Sequence, residues 1–460
     1  MAVKKTEVRG FTMSKISDGT FVKALRAVDR GYTAVFPTHY PPAASWSRVP
    51  RAPFIKSAWR SALKRRPELG LYVHIPFCAS VCEYCNITVR QVASPGEREA
   101  YLRRLFAEAE LYAPLFAGRV FRNVFIGGGT PNLLSPGQLE SLFSVLRRNF
   151  RLSAKARVVM DASPMFLDDE RLSALVRGGL TGISIGGQSF DDGVIKRSGR
   201  TQNNSAIYAA YLRARKHGIK HVNVDVMMGL PGQTIESSLR DAATVASWRP
   251  EEIFIGEFSP VNTPFARRGG SVSESHRLAA RAAWKKSFGI LRAAGYHHRG
   301  TECFASLNPR ARTWAGFFPF LRNSSLLGLG LGAVSWAWGS ARYQNTDSLE
   351  EYARLAGAGR FPVAAGGAVT LRQEMIHFIL TGLEAGILSR GEFRGLFGCP
   401  PERYFGAELR KLSDAGALRL ERGLYKVADA PGSAFEYSKA FYEPEIVRAV
   451  LRRSAPRCRR

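Results

Sequence analysis

Six apolar runs of strand length, at 71–75, 122–126, 157–161, 182–185, 221–227 and 252–257, limit what this chain can become. Between and after them lie segments of helical spacing around 97–113, 136–149, 168–177, 204–217, 235–247 and 273–294. Parallel strands need a long crossover, usually a helix, and none of the six runs reads as half of a hairpin. The pattern therefore predicts consecutive βα units. Six units fall short of the eight in a closed βα barrel, so an open partial barrel and a doubly wound sheet both satisfy it. In either architecture ligands meet the chain beyond the C-terminal ends of the strands.

The first strand runs straight into three cysteines, Cys78, Cys82 and Cys85, spaced C-x3-C-x2-C within LYVHIPFCASVCEYCN. Clustered thiolates suit a soft metal centre, and an iron–sulfur cube is held mainly by them. Three local cysteines leave one iron of a cube without a ligand from this loop, and an open metal position can bind a small molecule. Three structural thiols, or part of a zinc knuckle, are the plainer alternatives. A knuckle favours paired C-x2-C units and a fourth ligand that is not obvious nearby.

The other strand ends add polar chemistry to the same rim. After the second come Gly127-Gly128-Gly129-Thr130-Pro131, where successive N–H groups can form an anion nest. The third ends at Asp161, the fourth at Gln188 with Arg200 twelve residues on, and the fifth carries Asp225. Singly, each is more often a helix cap or a satisfied structural group. Five consecutive strand ends with cysteines, a glycine nest, an acid, an amide and an acid together predict a ligand site.

At 460 residues and 45% hydrophobic, the chain can bury a large core and more than one domain. Residues 1–70 read as an irregular N-terminal extension, 71–295 as the βα core and 296–369 as a Gly-, aromatic- and Arg-rich connection completing it. Residues 370–460 read as a helical C-terminal domain with a hairpin wing near 416–427. A winged helix fits that pattern, and so does a structural cap; nucleic acid is not the expected partner. The N-terminus lacks the apolar stretch of a secretory signal, and the longest apolar-looking run, 324–339, is too short to span a bilayer. Six cysteines, three of them within eight residues, do not form a disulfide framework, so a reducing cytoplasm is the expected compartment. The net charge of +28 includes an acid-free basic block from Arg51 to Arg66 and a basic C-terminal tail. Such blocks suit nucleic acid, an anionic membrane surface or an acidic substrate, and charge alone does not choose.

Taken in order, these motifs resemble the radical S-adenosylmethionine (SAM) superfamily and, within it, the oxygen-independent coproporphyrinogen III oxidase-like family. That family includes heme chaperones and the class C radical methyltransferases. The resemblance is carried by Tyr72 to Cys85, Gly127 to Pro131, Ser184 to Phe190 and Asp225 to Thr234. It continues through Leu327 to Ala333 and Leu380 to Gly386, and covers roughly residues 70–430. It implies a partial (βα)6 TIM-type barrel in which Cys78, Cys82 and Cys85 ligate a [4Fe–4S] cluster. The open iron would bind one SAM, with a second molecule as co-substrate or methyl donor in some members. Electron transfer to the sulfonium would give methionine and a 5′-deoxyadenosyl radical, the cofactor supplying the hard chemistry. By motif position, Gly128, Gly129, Thr130, Asp161, Gln188, Arg200 and Asp225 would contact SAM. Tyr72 would stand beside the cluster with a catalytic role, and Cys303, next to Glu302, is a candidate radical-handling thiol. A small-molecule substrate, a reducing partner such as flavodoxin or ferredoxin, and peripheral contact with an anionic membrane are the implied partners.

Three departures separate the chain from well-known members. Ile87 stands where the best-known oxidases carry a further cysteine, Asp161 replaces the usual glutamate, and Phe317 to Ser325 lacks the chaperones' histidine. The expectation is thus a class C-type methyltransferase acting on an aromatic, quinone or tetrapyrrole-like acceptor. Oxidative decarboxylation of coproporphyrinogen III and non-catalytic heme carriage are the alternatives.

Overall fold

A computed structural model of the chain describes residues 40–46, 49–91, 94–299, 304–308, 324–428 and 439–454. Cys303, most of the N-terminal extension, residues 317–323 and the basic tail beyond 454 lie outside the described residues.

The six expected strands all form, and in the expected order. They are β1 (Glu68–Ile75), β4 (Val120–Gly128), β5 (Arg151–Ala162), β6 (Gly182–Gln188), β7 (His221–Met228) and β8 (Glu252–Glu257), with a short pair, β2 (Phe77–Cys78) and β3 (Arg90–Gln91), after β1. Helix α1 (Ala52–Lys64) precedes β1. The crossovers contain α2 (Pro95–Tyr112), α3 (Pro136–Asn149), α4 (Asp169–Arg177), α5 (Asp192–Arg197), α6 (Asn204–Lys216) and α7 (Ile235–Trp248). After β8 come α8 (Pro264–Arg267) and α9 (Glu274–Ala293). Local chemistry sets these boundaries: Ser135 caps α3 with Gln138 answering it in a capping box, and Thr234 does the same for α7 with Ser237.

The strands β1, β4, β5, β6, β7 and β8 pair in that order, all parallel. The sheet continues on both sides. β11 (Ser324–Leu329) lies parallel to β1, followed by the antiparallel β12 (Val334–Ala337), β13 (Ala341–Asn345) and β14 (Val363–Ala368). Beyond β8 come the antiparallel β10 (Phe304–Ser306) and then β9 (His297–Arg299), for twelve strands among the described residues. The fold is thus mixed α/β around a large parallel sheet.

Strand periodicity splits that sheet into two faces. Leu71, Val73, Val124, Ile126, Val158, Met160, Ile183, Ile185, Val222 and Val224 turn to the helices and join the main core. The alternate positions form the opposite face. There Tyr72, Phe125 and Val159 pack in a second apolar cluster with Trp46, Leu326 and Trp336.

The extension expected to be irregular contains α1. Ile55, Ala58, Trp59, Ala62 and Leu63 form its buried stripe, and Trp59 Nε1 donates to the Tyr343 hydroxyl at 2.6 Å. Past β14 the chain forms α11 (Leu371–Glu384), β15 (Ile387–Ser389), α12 (Arg390–Phe397), α13 (Glu402–Asp414) and the hairpin β16 (Leu418–Glu421) with β17 (Leu424–Val427). These elements pack around their own apolar cluster, which also takes in Tyr40 and Val447. No helix of the described residues is long and apolar enough to cross a membrane.

Candidate active site

The cysteine loop leaves β1 through Pro76 and is pinned at several points. Cys78 lies in β2, paired with β3. Glu83 N–H donates to Ser198 O at 3.0 Å, and Phe265 N–H donates to Glu83 O at 3.0 Å. The Ser80 hydroxyl donates to Gly199 O at 3.3 Å. Three thiols are thereby held in one turn at the rim. Burial pushes Cys78 up to about 11, with Cys82 adding to the shift, and Cys85 up to about 12, with Cys82 and Cys78 adding to it. Alone, such thiols stay protonated at neutral pH, and a cationic centre is what displaces their protons. Two donors already point at sulfur: the Thr130 side chain bonds Cys78, and Ile87 N–H bonds Cys85. Among the described residues no three His, Cys, Asp or Glu groups converge on a single-ion site. The three cysteines would instead suit a multi-iron cluster.

The glycine turn closes against this loop, and two of the N–H groups expected to form an anion nest are spent on it. Gly129 N–H donates to Ile75 O at 2.7 Å and Thr130 N–H donates to Phe77 O at 2.8 Å. A Cβ on Gly129 would stand 2.6 Å from Phe77 O and 2.9 Å from Cys78 Sγ, and Gly128 has φ +114°. Only glycine permits that approach and that dihedral.

Asp161, Ser184 and Asp225 lie on neighbouring strands of the face opposite the helices. Asp161 is level with Ser184 in the register, and Gly186 with Asp225. Asp225 Oδ1 accepts from the Ser184 hydroxyl at 2.9 Å and from Asn223 Nδ2 at 2.6 Å. Burial raises Asp225 to about 6 in spite of those donors and Arg200. Burial also holds the Asp161 carboxyl well above its usual range, and the nearby charge of Asp225 adds to this. Two carboxyls that resist ionising together favour a cation between them. Gln188 has φ +72°, at a bulge where the β6–β7 register shifts between Gly186 and Gln188. A bulge re-aims the side chain it carries.

Arg200 sits between the cysteines and this face. Its Nη2 donates to Gly186 O at 2.8 Å, its Nη1 to the Tyr84 hydroxyl at 2.5 Å, and Nη1 lies 3.9 Å from Cys82 Sγ. The planar fork is thus spent on the protein, and its buried Nε has no partner. Tyr72 is buried, with its hydroxyl 2.7 Å from His74 Nδ1 and its ring 5.4 Å from Phe125.

The structure therefore gathers Tyr72, the three cysteines, Gly128 to Thr130, Asp161, Gln188, Arg200 and Asp225 at one end of adjacent strands. Sequence reasoning passed over His74, Tyr84, Ser184 and Asn223. His74 and Asn223 carried a signal, since each lies two residues from a chosen position, Tyr72 or Asp225, on the same strand face, and Ser184 opens the Ser184 to Phe190 motif. Tyr84 carried none.

Residues 72–243 match the Radical SAM superfamily. The chain is 30% identical over 332 residues to the oxygen-independent coproporphyrinogen III oxidase of Escherichia coli (strain K12), covering 68% of this chain and 71% of that one. It is 26% identical over 379 residues to the heme chaperone HemW of Lactococcus lactis subsp. lactis (strain IL1403), covering 81% of this chain and 96% of the relative. Among solved structures, coproporphyrinogen III oxidase (HemN) from Escherichia coli, a radical SAM enzyme, superposes with a TM-score of 0.77 at 26% identity. That likeness covers 88% of this chain and 96% of the other.

Proposed function

Because the chain belongs to the radical SAM superfamily, in the oxygen-independent coproporphyrinogen III oxidase-like family, we propose that it is a SAM-cleaving enzyme built on an open (βα)6 barrel. Residues 71–295 form that catalytic unit, 296–369 close it, and 370–460 cap it. The observation that carries this reading is the meeting of three thiols, Cys78 buried and Cys82 and Cys85 half-buried, with the glycine turn, beside Asp161 and Asp225. The family implies a [4Fe–4S] cluster and SAM, and the donor set fits: three thiols with no fourth beside them among the described residues, and two carboxyls poised for a cation. Bound there, these groups would supply one-electron reductive cleavage of the sulfonium.

The chain's own part is to hold and orient. Cys78, Cys82 and Cys85 are the ligands, steadied by Thr130 and Ile87 N–H. Gly128, Gly129 and Thr130 let a methionine-like group approach the backbone. Asp161, Gln188 and Asp225 take its cationic and polar groups, and the free Nε of Arg200 remains for an anionic one. Trp46, Tyr72, Phe125 and Trp336 line the apolar face where a flat substrate would be screened from water.

For the reaction on substrate, likeness to the oxidase over most of the chain supports oxidative decarboxylation of a coproporphyrinogen-type ring. Methyl transfer to a flat acceptor is the second reading. Ile87, in the place of the cysteine of the best-known oxidases, favours it.

Anaerobic reconstitution with SAM, a reductant and candidate acceptors tests this. Carbon dioxide from coproporphyrinogen III with 5′-deoxyadenosine supports decarboxylation, whereas S-adenosylhomocysteine with a methylated product supports methyl transfer. Neither nucleoside product, with tight heme binding, would overturn the enzyme reading. Cys82→Ala is expected to lose the brown chromophore, and a full [4Fe–4S] spectrum in that variant would sink the ligand assignment.

A further inference from the structure

The outer side of the cysteine loop carries exposed cations, each tied to that loop by a bond of the fold. Arg90 lies opposite Phe77 in the β2–β3 pair, and its N–H donates to Pro76 O at 2.7 Å. Lys196 and Arg197 end α5, and the carbonyl of the next residue, Ser198, takes the Glu83 N–H. Arg267 ends α8 and Arg268 follows it, two and three residues past the Phe265 whose N–H meets Glu83 O. All five side chains are exposed.

Little negative charge answers them. Glu83, between Cys82 and Cys85, is spent on Arg268. Asp191 caps α5 and its carboxylate flanks Gly193 together with the Arg197 guanidinium, while Asp192 bonds Asn204 N–H, so the carboxylates here are fewer than the cations. The loop itself reaches solvent, for Ala79 is exposed and residues 80–89 are half-buried. A metal loop that is accessible from outside and bordered by more cations than carboxylates, with only Arg268 of the five held in an ion pair by Glu83, is suited to a negatively charged protein that brings an electron.

We propose that Arg90, Lys196, Arg197, Arg267 and Arg268 form the docking rim for a small acidic one-electron carrier protein. The proposal rests on the function proposed above, which needs one electron from outside for each SAM cleaved. The carrier would lose one electron to the centre held by Cys78, Cys82 and Cys85, with no bond made or broken at the interface. An acidic patch on the carrier would meet the rim, so encounter would be steered by charge and weakened by salt.

The test uses the full chain and oxidised flavodoxin as the probe. Binding is measured calorimetrically at low and high ionic strength for the wild type, for Arg90→Glu/Lys196→Glu/Arg267→Glu, and for Arg122→Glu/Arg151→Glu/Lys155→Glu. The last set changes the net charge equally, at exposed positions near the opposite ends of β4 and β5. The rim variant should bind at least about tenfold more weakly and lose most of its salt dependence, while the distant variant should change little. In the reconstituted enzyme, 5′-deoxyadenosine release driven by reduced flavodoxin should fall in the rim variant, and release driven by dithionite should not. Wild-type binding in the rim variant, equal weakening in both variants, or equal loss with both electron sources would overturn the rim. Wild type that releases no 5′-deoxyadenosine with dithionite would overturn the proposed chemistry instead, and the binding measurement would still decide the docking.

Discussion

His74 Nε2 lies 2.8 Å from Thr88 O, an atom that only accepts, so Nε2 carries the proton and Nδ1 accepts from the Tyr72 hydroxyl at 2.7 Å. Burial pushes this imidazole down to about 4, which keeps it neutral across the physiological range. The Tyr72 hydroxyl is thereby a fixed donor beside the face that carries Asp161. Gly129 is the other residue with no freedom. A methyl there would meet backbone atoms of Phe77 and the sulfur of Cys78, neither of which can yield without moving the cysteine strand. Gly129→Ala is expected to cost about 1–3 kcal/mol of stability and to lower the iron retained after anaerobic reconstitution, read by iron analysis and urea unfolding. Iron and stability both at wild-type values would show that the nest does not press on the loop. The cysteines, the glycines and both aspartates were legible because their chemistry is local: each follows a strand. The state of Arg200 was not. Its fork is occupied by Tyr84, 116 residues earlier in the chain, and no spacing rule reaches that far.

At the scale of elements, periodicity found the strands and the longer helices of the parallel core, because alternation and 3.6-residue spacing are properties of each segment alone, and passed over the six-residue α5. It missed β11. That strand is six residues long, ends at glycines, and owes its place to pairing with β1, more than 250 residues earlier in the sequence. The stripe of Ile55, Ala58, Trp59, Ala62 and Leu63 was visible in the same way, but the surrounding Arg and Lys drew the reading toward a charged extension. The join between the sheet and the C-terminal elements rests on a buried ion pair. Arg342 on β13 donates to Glu374 on α11 at 2.6 Å, Gly339 N–H donates to the other carboxylate oxygen at 2.6 Å, and the Arg342 guanidinium stands 5.0 Å from the centre of the Trp336 ring. Both side chains are almost fully buried. Arg342→Met leaves a buried carboxylate without its counter-charge and is expected to cost about 3–5 kcal/mol. Adding Glu374→Gln should recover part of that loss in urea unfolding. No recovery would mean that shape, rather than charge, holds the two elements together.

Across the whole molecule, Glu108 on α2 joins elements far apart in the chain. Fully buried, it accepts from Gly330 N–H after β11 at 2.8 Å, Asn345 Nδ2 on β13 at 2.7 Å and the Tyr352 hydroxyl at 2.6 Å. Tyr352 belongs to α10 (Leu349–Gly357). The groups that face it are therefore neutral donors, with the hydroxyls of Tyr101 and Tyr112 nearby held protonated by their own burial. Burial raises Glu108 from 4.5 to about 7, against those hydrogen bonds. A carboxyl whose folded pKa lies above its unfolded value holds its proton more tightly when folded. Its stabilising contribution is complete below about 4.5 and is lost as pH rises through about 7. Between pH 6.5 and 8 this single group should remove about 1 kcal/mol of unfolding free energy. Asp225, raised only to about 6, has lost most of its contribution below that window, and His74, near 4, lies outside it. Glu108→Gln deletes the titration while keeping the side chain's size. The variant should be less stable at every pH, because its amide turns a donor toward groups that already donate, yet its stability should change less between pH 6.5 and 8. Urea unfolding of wild type and variant at the two pH values reads that difference. Parallel pH profiles would show that Glu108 is ionised throughout, and that the four segments are joined around a charge rather than around a neutral acid.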